Sequence, residues 1–155
     1  MPSRIHSITY EEFTAEALGA VNARLCAAAE QAVDLAYAPY SRFRVGAAAQ
    51  LEDGTLVPAA NLENAAYPQC LCAEATLLGA LHTQHPGRRV VAVAVCAREA
   101  AGDWVAASPC GSCRQQLLEA ERRQGADIAL LLHRPGGPTL RFASAAALLP
   151  LGFAF

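Results

Sequence analysis

Two short segments, Cys72-Ala73-Glu74 and Pro109-Cys110-Gly111-Ser112-Cys113, constrain the fold of this chain more than any other feature. A Cys-x-x-Cys pair can hold a metal ion through two thiolates. A third thiolate from Cys72 gives three protein ligands and leaves the fourth tetrahedral position of a zinc ion open to water, whereas a structural zinc site is normally closed by four. The fold must therefore bring together two segments that lie about a helix and a strand apart. Glu74 is too close to Cys72 to be an obvious extra ligand and is well placed to move protons beside the metal. Alone, Cys110 and Cys113 would equally suit half a structural zinc knuckle or a redox pair. The upstream Cys-x-Glu and the proline before the pair favour catalytic zinc.

With 155 residues, the chain is expected to form one domain over 1–155. A net charge of −2 and scattered arginines argue against a nucleic-acid partner and for a small substrate. All twelve basic residues are arginine, which excludes a P-loop lysine, a Schiff-base lysine and a pyridoxal-phosphate anchor within this chain. Residues 1–12 lack the apolar stretch of a secretory signal, so a cytoplasmic protein is expected. The apolar run 90–97 is too short to cross a membrane. Six cysteines in such a chain read as thiols or metal ligands rather than disulfides. Cys26, in an alanine-rich stretch, and Cys96, in an apolar one, are expected to be packing residues. Cys70 could compete with Cys72 as a ligand, but its glutamate would then stand at the wrong offset.

Apolar residues at Phe13, Ala17, Val21, Leu25, Ala28, Ala32 and Leu35 recur every three or four positions and predict one long helix over 11–36, ended by Ala38-Pro39-Tyr40. Residues 43–51 predict a strand, Asp53-Gly54 a hairpin turn and 55–60 the returning strand, with Pro58 marking an edge or bulge. A second helix is predicted from Cys72 to about His82, broken by His85-Pro86-Gly87. A buried strand follows over 89–97, then a third helix over 110–123 stopped by Gly125, and a strand over 128–132. A short strand over 140–142 and an alanine-rich C-terminal helix complete the chain. The order α-β-β-α-β-α-β implies a three-layer α/β/α sandwich with a mixed central sheet. Both cysteine segments then fall at helix N-termini, where unpaired N–H groups and the helix dipole favour thiolate. His82 and His85 have a ligand-like spacing, but a helix end before proline is an ordinary place for surface polar residues. Trp104 reads as a strand or core residue.

Together with Ala38-Pro39-Tyr40-Ser41-Arg42-Phe43 and Asn61-Leu62-Glu63-Asn64-Ala65-Ala66-Tyr67, the cysteine segments make the chain resemble the homotetrameric zinc-dependent cytidine deaminases. The likeness covers nearly the whole length, and Leu148-Leu149-Pro150-Leu151-Gly152-Phe153 is similar to that family's C-terminal aromatic segment. Zinc deaminases include a three-cysteine ligand set, with a glutamate outside that set as general acid/base. The resemblance implies one Zn2+ per subunit on Cys72, Cys110 and Cys113, with Glu74 as proton shuttle. It also implies Asn61 and Glu63 on the ribose hydroxyls, Phe43 near the base, and the Ala73 N–H on the pyrimidine carbonyl. Tyr67 and Phe153 would reach a neighbouring subunit's site. Without the resemblance, Asn61 and Asn64 could be turn residues, and Phe43 and Phe153 packed aromatics.

The implied activity is hydrolytic deamination of cytidine and deoxycytidine to uridine and deoxyuridine in pyrimidine salvage. Zinc lowers the pKa of water, and Glu74 could carry that water's proton to the pyrimidine N3, leaving C4 open to attack and ammonia as the leaving group. An amide and a carboxylate, Asn61 and Glu63, suit a vicinal diol. One position departs from the family: arginine commonly follows Cys-Ala-Glu, and here Ala75 stands instead. Three thiolates and Zn2+ sum to −1, so a missing cation weakens the Lewis acid; helix N-termini or Arg114 are expected to compensate. Ala75 suggests a modified cytosine nucleoside, such as an aminonucleoside antibiotic, as the alternative substrate, while Asn61 and Glu63 favour ordinary nucleosides. A non-enzymatic zinc-stabilised binding module, with Cys70 as fourth ligand, is a further reading. Editing of single-stranded nucleic acid would bring a positive groove and exposed stacking aromatics, and the charge pattern lacks the groove.

Overall fold

Alternation along two central strands sets the layers of the fold. In β4 (Val90–Arg98), Val93 and Val95 face one way, while Ala92, Ala94 and Cys96 face the other. In β2 (Arg44–Leu51), Ala47, Ala49 and Leu51 join the valine side and Ala48 the alanine side. Successive strand side chains point to opposite faces, so each strand contributes to two cores. The valine side is covered by α2 (Ala73–Gln84) and α3 (Gly111–Gln124) through Leu77, Leu81 and Leu117. The alanine side receives α1 (Ala20–Ala32) through Leu25, Cys26 and Ala29. This is the expected three-layer α/β/α sandwich, seen in a computed structural model that describes residue 3 and residues 5–153. Met1, Pro2 and Arg4 of the 1–12 stretch, and Ala154 and Phe155, lie outside the described residues.

The remaining strands are β1 (Glu11–Phe13), β3 (Leu56–Ala60), β5 (Trp104–Val105), β6 (Ala129–Leu132) and β7 (Thr139–Phe142). The sheet order is β1-β7-β6-β4-β2-β3, with the short β5 pairing to β4. Only the β4/β6 pair is parallel among these described pairs, and α3 lies in its crossover. The hairpin turn is where the sequence places it, with the Thr55 N–H donating to Asp53 Oδ1 at 3.0 Å and Gly54 at φ 85°. Pro58 lies on the edge strand β3, where a missing N–H costs no ladder bond if it faces outward. Trp104 is half-buried in β5, with the Arg98 guanidinium 5.4 Å from its ring centre.

Two predicted elements are corrected. The long helix over 11–36 is a strand followed by a shorter helix: β1 pairs with β7, and the Arg141 Nη1–Glu11 Oε2 ion pair at 2.6 Å joins the two. Gly19, at φ 72° and ψ 153°, interrupts the backbone before α1, a conformation glycine tolerates. The apolar spacing of Phe13, Ala17 and Val21 therefore spans two elements, and Val21 is 60% exposed. The alanine-rich C-terminal helix is only a 3-10 turn, Ala145–Leu148. Leu149 leaves helical geometry, with φ −138° and ψ 71°, because a residue before proline is disfavoured in the α region. Cys26 and Cys96 are buried as expected, and burial first, with Glu30 adding, pushes each thiol up to about 12.

Helix α1 approaches β2 closely at Gly46. A Cβ built there would lie 2.1 Å from the Ala29 carbonyl oxygen and 2.7 Å from the Val33 nitrogen. Both obstacles are backbone, so no rotamer can relieve them. Gly46→Ala should cost about 1–3 kcal/mol or more, the range of core overpacking. Urea unfolding checks this as a lowered midpoint at unchanged slope.

Candidate metal centre and nucleoside pocket

Cys72 and Cys110 occupy equivalent places at the starts of the two helices on the valine side. Each is the residue before the first helical turn, with φ −67° and ψ 155° at Cys72 and φ −67° and ψ 169° at Cys110. The Cys72 carbonyl accepts from the Thr76 N–H at 3.0 Å and the Cys110 carbonyl from the Arg114 N–H at 2.9 Å, so both are locked as the first acceptors of their helices. Cys113, one turn into α3, is buried beneath them. The three sulfurs lie within 4.8 Å of one another. Cys72 Sγ is 3.8 Å from Cys110 Sγ, which is 3.5 Å from Cys113 Sγ. Zn–S bonds of about 2.3 Å in a tetrahedron separate sulfurs by about 3.8 Å, so the donor set and its spacing fit a zinc ion with one position left over.

The electrostatics differ among the three. Burial alone would raise the Cys110 thiol, but hydrogen bonds from the Cys113 and Ser112 backbone and from the Cys113 and Cys72 side chains hold it below the ordinary thiol value. Burial pushes Cys113 and Cys72 up, with neighbouring thiolates and Glu74 adding to it. Cys110 is therefore the sulfur most ready to ionise before metal arrives. Glu74 is 4% exposed in the first turn of α2. Burial raises its carboxyl above the ordinary range, against hydrogen bonds from its own backbone and the Cys113 side chain.

A cavity of about 330 Å3 opens beside the sulfurs, within the size range of small-ligand sites. Phe43, Asn61, Glu63, Ala73 and Glu74 line it with Cys72 and Cys110. These residues come from four separate segments of the sequence that the fold brings to one hollow. Asn61 Oδ1 accepts from the Val45 N–H at 2.8 Å and its Nδ2 donates to the Phe43 carbonyl at 3.0 Å, pinning the entry of β2. Glu63 accepts from the Tyr40 N–H at 2.9 Å, the Ser41 N–H at 3.3 Å and the Ser41 hydroxyl. The Ser41 hydroxyl first, with the two N–H groups adding and burial opposing, holds the Glu63 carboxyl below its usual range. Ser41 Oγ in turn accepts from the Phe43 N–H at 3.0 Å. Ser41 stands in the Ala38–Phe43 motif without a role legible from sequence. Only its partners across the pocket mouth reveal one.

Asn64 is a turn residue, its Oδ1 accepting from the Ala66 N–H at 2.9 Å. Cys70 also lines the cavity, but its sulfur is engaged by the Asn64 N–H at 3.3 Å and the Asn64 carbonyl at 3.6 Å. Among the described residues the cysteines grouped for one ion are Cys72, Cys110 and Cys113, so Cys70 as fourth ligand is set aside. His82 and His85 join no such group among the described residues. Tyr67 and Phe153 lie outside this cavity and are 72% and 64% exposed. Tyr67 stacks edge-on against Tyr40, with centroids 6.2 Å apart. Arg114, expected to offset thiolate charge, directs its guanidinium hydrogen bonds to Pro109, Leu148 and Ser108 rather than to a sulfur.

Residues 21–125 match the family profile described as "Cytidine and deoxycytidylate deaminase zinc-binding region". A cytidine deaminase of Mycobacterium tuberculosis is 46% identical over 91 residues, 59% of this chain and 65% of that protein. One from Halalkalibacterium halodurans is 47% identical over 90 residues, 57% of this chain and 64% of that protein. The chain thus spans just under two thirds of the length of these relatives. A crystal structure of cytidine deaminase from Burkholderia pseudomallei superposes with a TM-score of 0.69 at 36% identity, covering 84% of this chain and 97% of the other. The M. tuberculosis structure gives 0.64 at 39% identity, covering 85% and 96%.

The three-sulfur assignment predicts a distinct pattern of metal content. Cys110→Ala and Cys113→Ala should each lose most of the zinc found by atomic emission in the unaltered protein, and Cys70→Ala should keep it. Zinc retained without Cys110, or lost without Cys70, would reject the assignment.

Proposed function

The chain belongs to the cytidine and deoxycytidylate deaminase zinc-binding family, and from that premise we propose that it hydrolyses cytidine and deoxycytidine to uridine and deoxyuridine with release of ammonia. The observation that carries this reading is a buried carboxyl, Glu74, in the cavity wall beside three sulfurs spaced for one zinc ion. Cys72, Cys110 and Cys113 would hold the Zn2+, whose chemistry when bound is to lower the pKa of water so that hydroxide is available near neutral pH.

The chain's own residues supply the rest. Ala73 is the first residue of α2 and lines the cavity. Its N–H is among those a helix leaves without an internal partner, and it would donate to the pyrimidine 2-carbonyl. Phe43, 38% exposed at the mouth, would lie against the base. Asn61 and Glu63 each keep hydrogen-bonding capacity beyond the bonds they make to the main chain, and would take the ribose hydroxyls. Glu74 would accept a proton from the attacking water and deliver it to N3, making C4 electrophilic. As the C4–N4 bond breaks, Glu74 would take the remaining proton from the new C4 hydroxyl and hand it to the departing amine, so the C4 carbonyl forms and ammonia leaves neutral. Burial keeps this carboxyl from trading its proton freely with solvent.

The resemblance further suggests a homotetramer in which the exposed Tyr67 and Phe153 reach a neighbouring subunit's pocket, one zinc per subunit, and a cytoplasmic place in pyrimidine salvage. No helix among the described residues is long and apolar enough to cross a membrane.

Zinc-loaded protein incubated with cytidine should show the ultraviolet change to uridine. Glu74→Gln should bind zinc as before and lose turnover by at least about 10²–10⁴-fold, the range of general acid–base catalysis. Turnover unchanged in Glu74→Gln would remove the proton-shuttle role. No turnover by the zinc-loaded, unaltered chain would reject cytidine as substrate and turn attention to modified cytosine nucleosides.

A further inference from the structure

One guanidinium ties three segments of the chain together beside the sulfurs. Arg114 follows Cys113 in α3. Its Nε donates to the Pro109 carbonyl at 2.8 Å, its Nη1 to the Leu148 carbonyl at 3.2 Å and its Nη2 to Ser108 Oγ at 3.4 Å. Pro109 is among the fully buried residues and has no N–H, so the carbonyl is its one backbone hydrogen-bonding group. That carbonyl belongs to the peptide that carries Cys110 into α3. A fork of fixed donors sets the orientation of such a peptide as a single point charge cannot.

The other end of the fork rests on the C-terminal segment, which α3 holds by its main chain. Glu121 accepts from the Ala145 N–H at 2.8 Å and the Ala146 N–H at 3.1 Å. Gln115 makes two bonds to Phe153, accepting from its N–H and donating to its carbonyl, both at 2.9 Å, and Arg122 reaches the same carbonyl at 3.3 Å. Between these points the segment lies directly on the helix, since a Cβ on Gly152 would fall 2.2 Å from Leu118 Cδ2. Residues 144–153 are thus docked along α3 in a fixed register, and the Leu148 carbonyl is held where Arg114 uses it.

We propose that Arg114 is a positioning residue for the metal centre: by joining the Pro109 carbonyl to the Leu148 carbonyl, it lets the docked C-terminal segment fix the direction in which Cys110 presents its sulfur. This rests on Cys110 being a metal ligand. The role is distinct from neutralising thiolate charge, because the fork ends on carbonyl and hydroxyl oxygens.

Cobalt-substituted protein tests the clamp through its ligand-field bands, together with zinc affinity measured against a chromophoric chelator. Arg114→Ala should shift the bands and weaken zinc about 10–100-fold, the usual cost of losing an outer partner of a metal site. Arg114→Lys, which keeps the charge and loses the fork, should resemble Arg114→Ala. Full recovery by lysine would show that charge alone matters and overturn the proposal, as would wild-type bands in Arg114→Ala. Gln115→Ala removes two of the bonds that hold Phe153 and leaves Arg114 in place; it should shift the same bands by less, and unchanged bands would overturn the link to the C-terminal segment even if the Arg114 variants fail to fold. Absence of a thiolate-to-cobalt charge-transfer band in the unaltered chain would instead reject the ligand assignment itself.

Discussion

Everything in this fold depends on two helices beginning at the same place. α2 and α3 lie side by side on the valine face of the sheet, and their N-caps, Cys72 and Cys110, meet with sulfurs 3.8 Å apart. Three thiols so close would repel once ionised. Two helix N-termini, each carrying partial positive charge, make the place tolerable for a thiolate, and a divalent cation then offsets the rest. The sheet's alternation supports the same end: Val93 and Val95 pack with Leu77, Leu81 and Leu117 of α2 and α3 on one face, while alanines and Gly46 let α1 settle closely on the other.

The cavity wall is made by residues that act on the main chain and on the hollow at once. Asn61 ties its acceptor to Val45 in β2 and its donor to Phe43 just before that strand, and Glu63 gathers the N–H groups of Tyr40 and Ser41. Phe43 stands between these anchors. A carboxylate and an amide already oriented by backbone bonds lose little freedom when they meet a ligand, and preorganisation of this kind lowers the cost of binding. The same residues therefore shape the pocket and offer it hydrogen bonds, and a change at either one alters geometry as well as recognition.

Chemistry was more legible in the sequence than architecture at the ends of the chain. The cysteine segments could be placed at helix N-termini because each precedes a run of helix-forming residues, and Gly125, at φ 65°, stops α3 where its pattern ends. The hairpin at Asp53-Gly54 follows from local turn chemistry. Strand β1 could not be read this way: three residues carry no period, and their pairing with β7 joins positions 130 apart at Glu11 and Arg141. Phe13 therefore counted toward a helix it does not join. The alanines after Ser144 have helical propensity, but Pro150 acts back on Leu149 and Glu121 captures the N–H groups of Ala145 and Ala146. Glu63, which Ser41 meets, and Leu148, which Arg114 meets, lie 22 and 34 residues away, beyond a local window of sequence.

Ala75 shows how the metal centre can do without a cation beside it. It lies half-buried at a groove between α2 and α3, shared with Gln115 and Glu119, and offers nothing to a sulfur. Arg114 is occupied with oxygens. Positive potential at the sulfurs then comes from main-chain N–H groups, and it is uneven: Cys110 receives those of Ser112 and Cys113, while Cys72 and Cys113 are pushed toward the thiol by burial. Ligation needs each sulfur as thiolate, so metal uptake by this set releases protons. The orientation of the Cys110 peptide matters under this arrangement, because the Ser112 and Cys113 N–H groups that lower the Cys110 thiol are fixed by the same backbone. Holding Pro109 in place and stabilising the Cys110 thiolate are two effects of the same turn of chain.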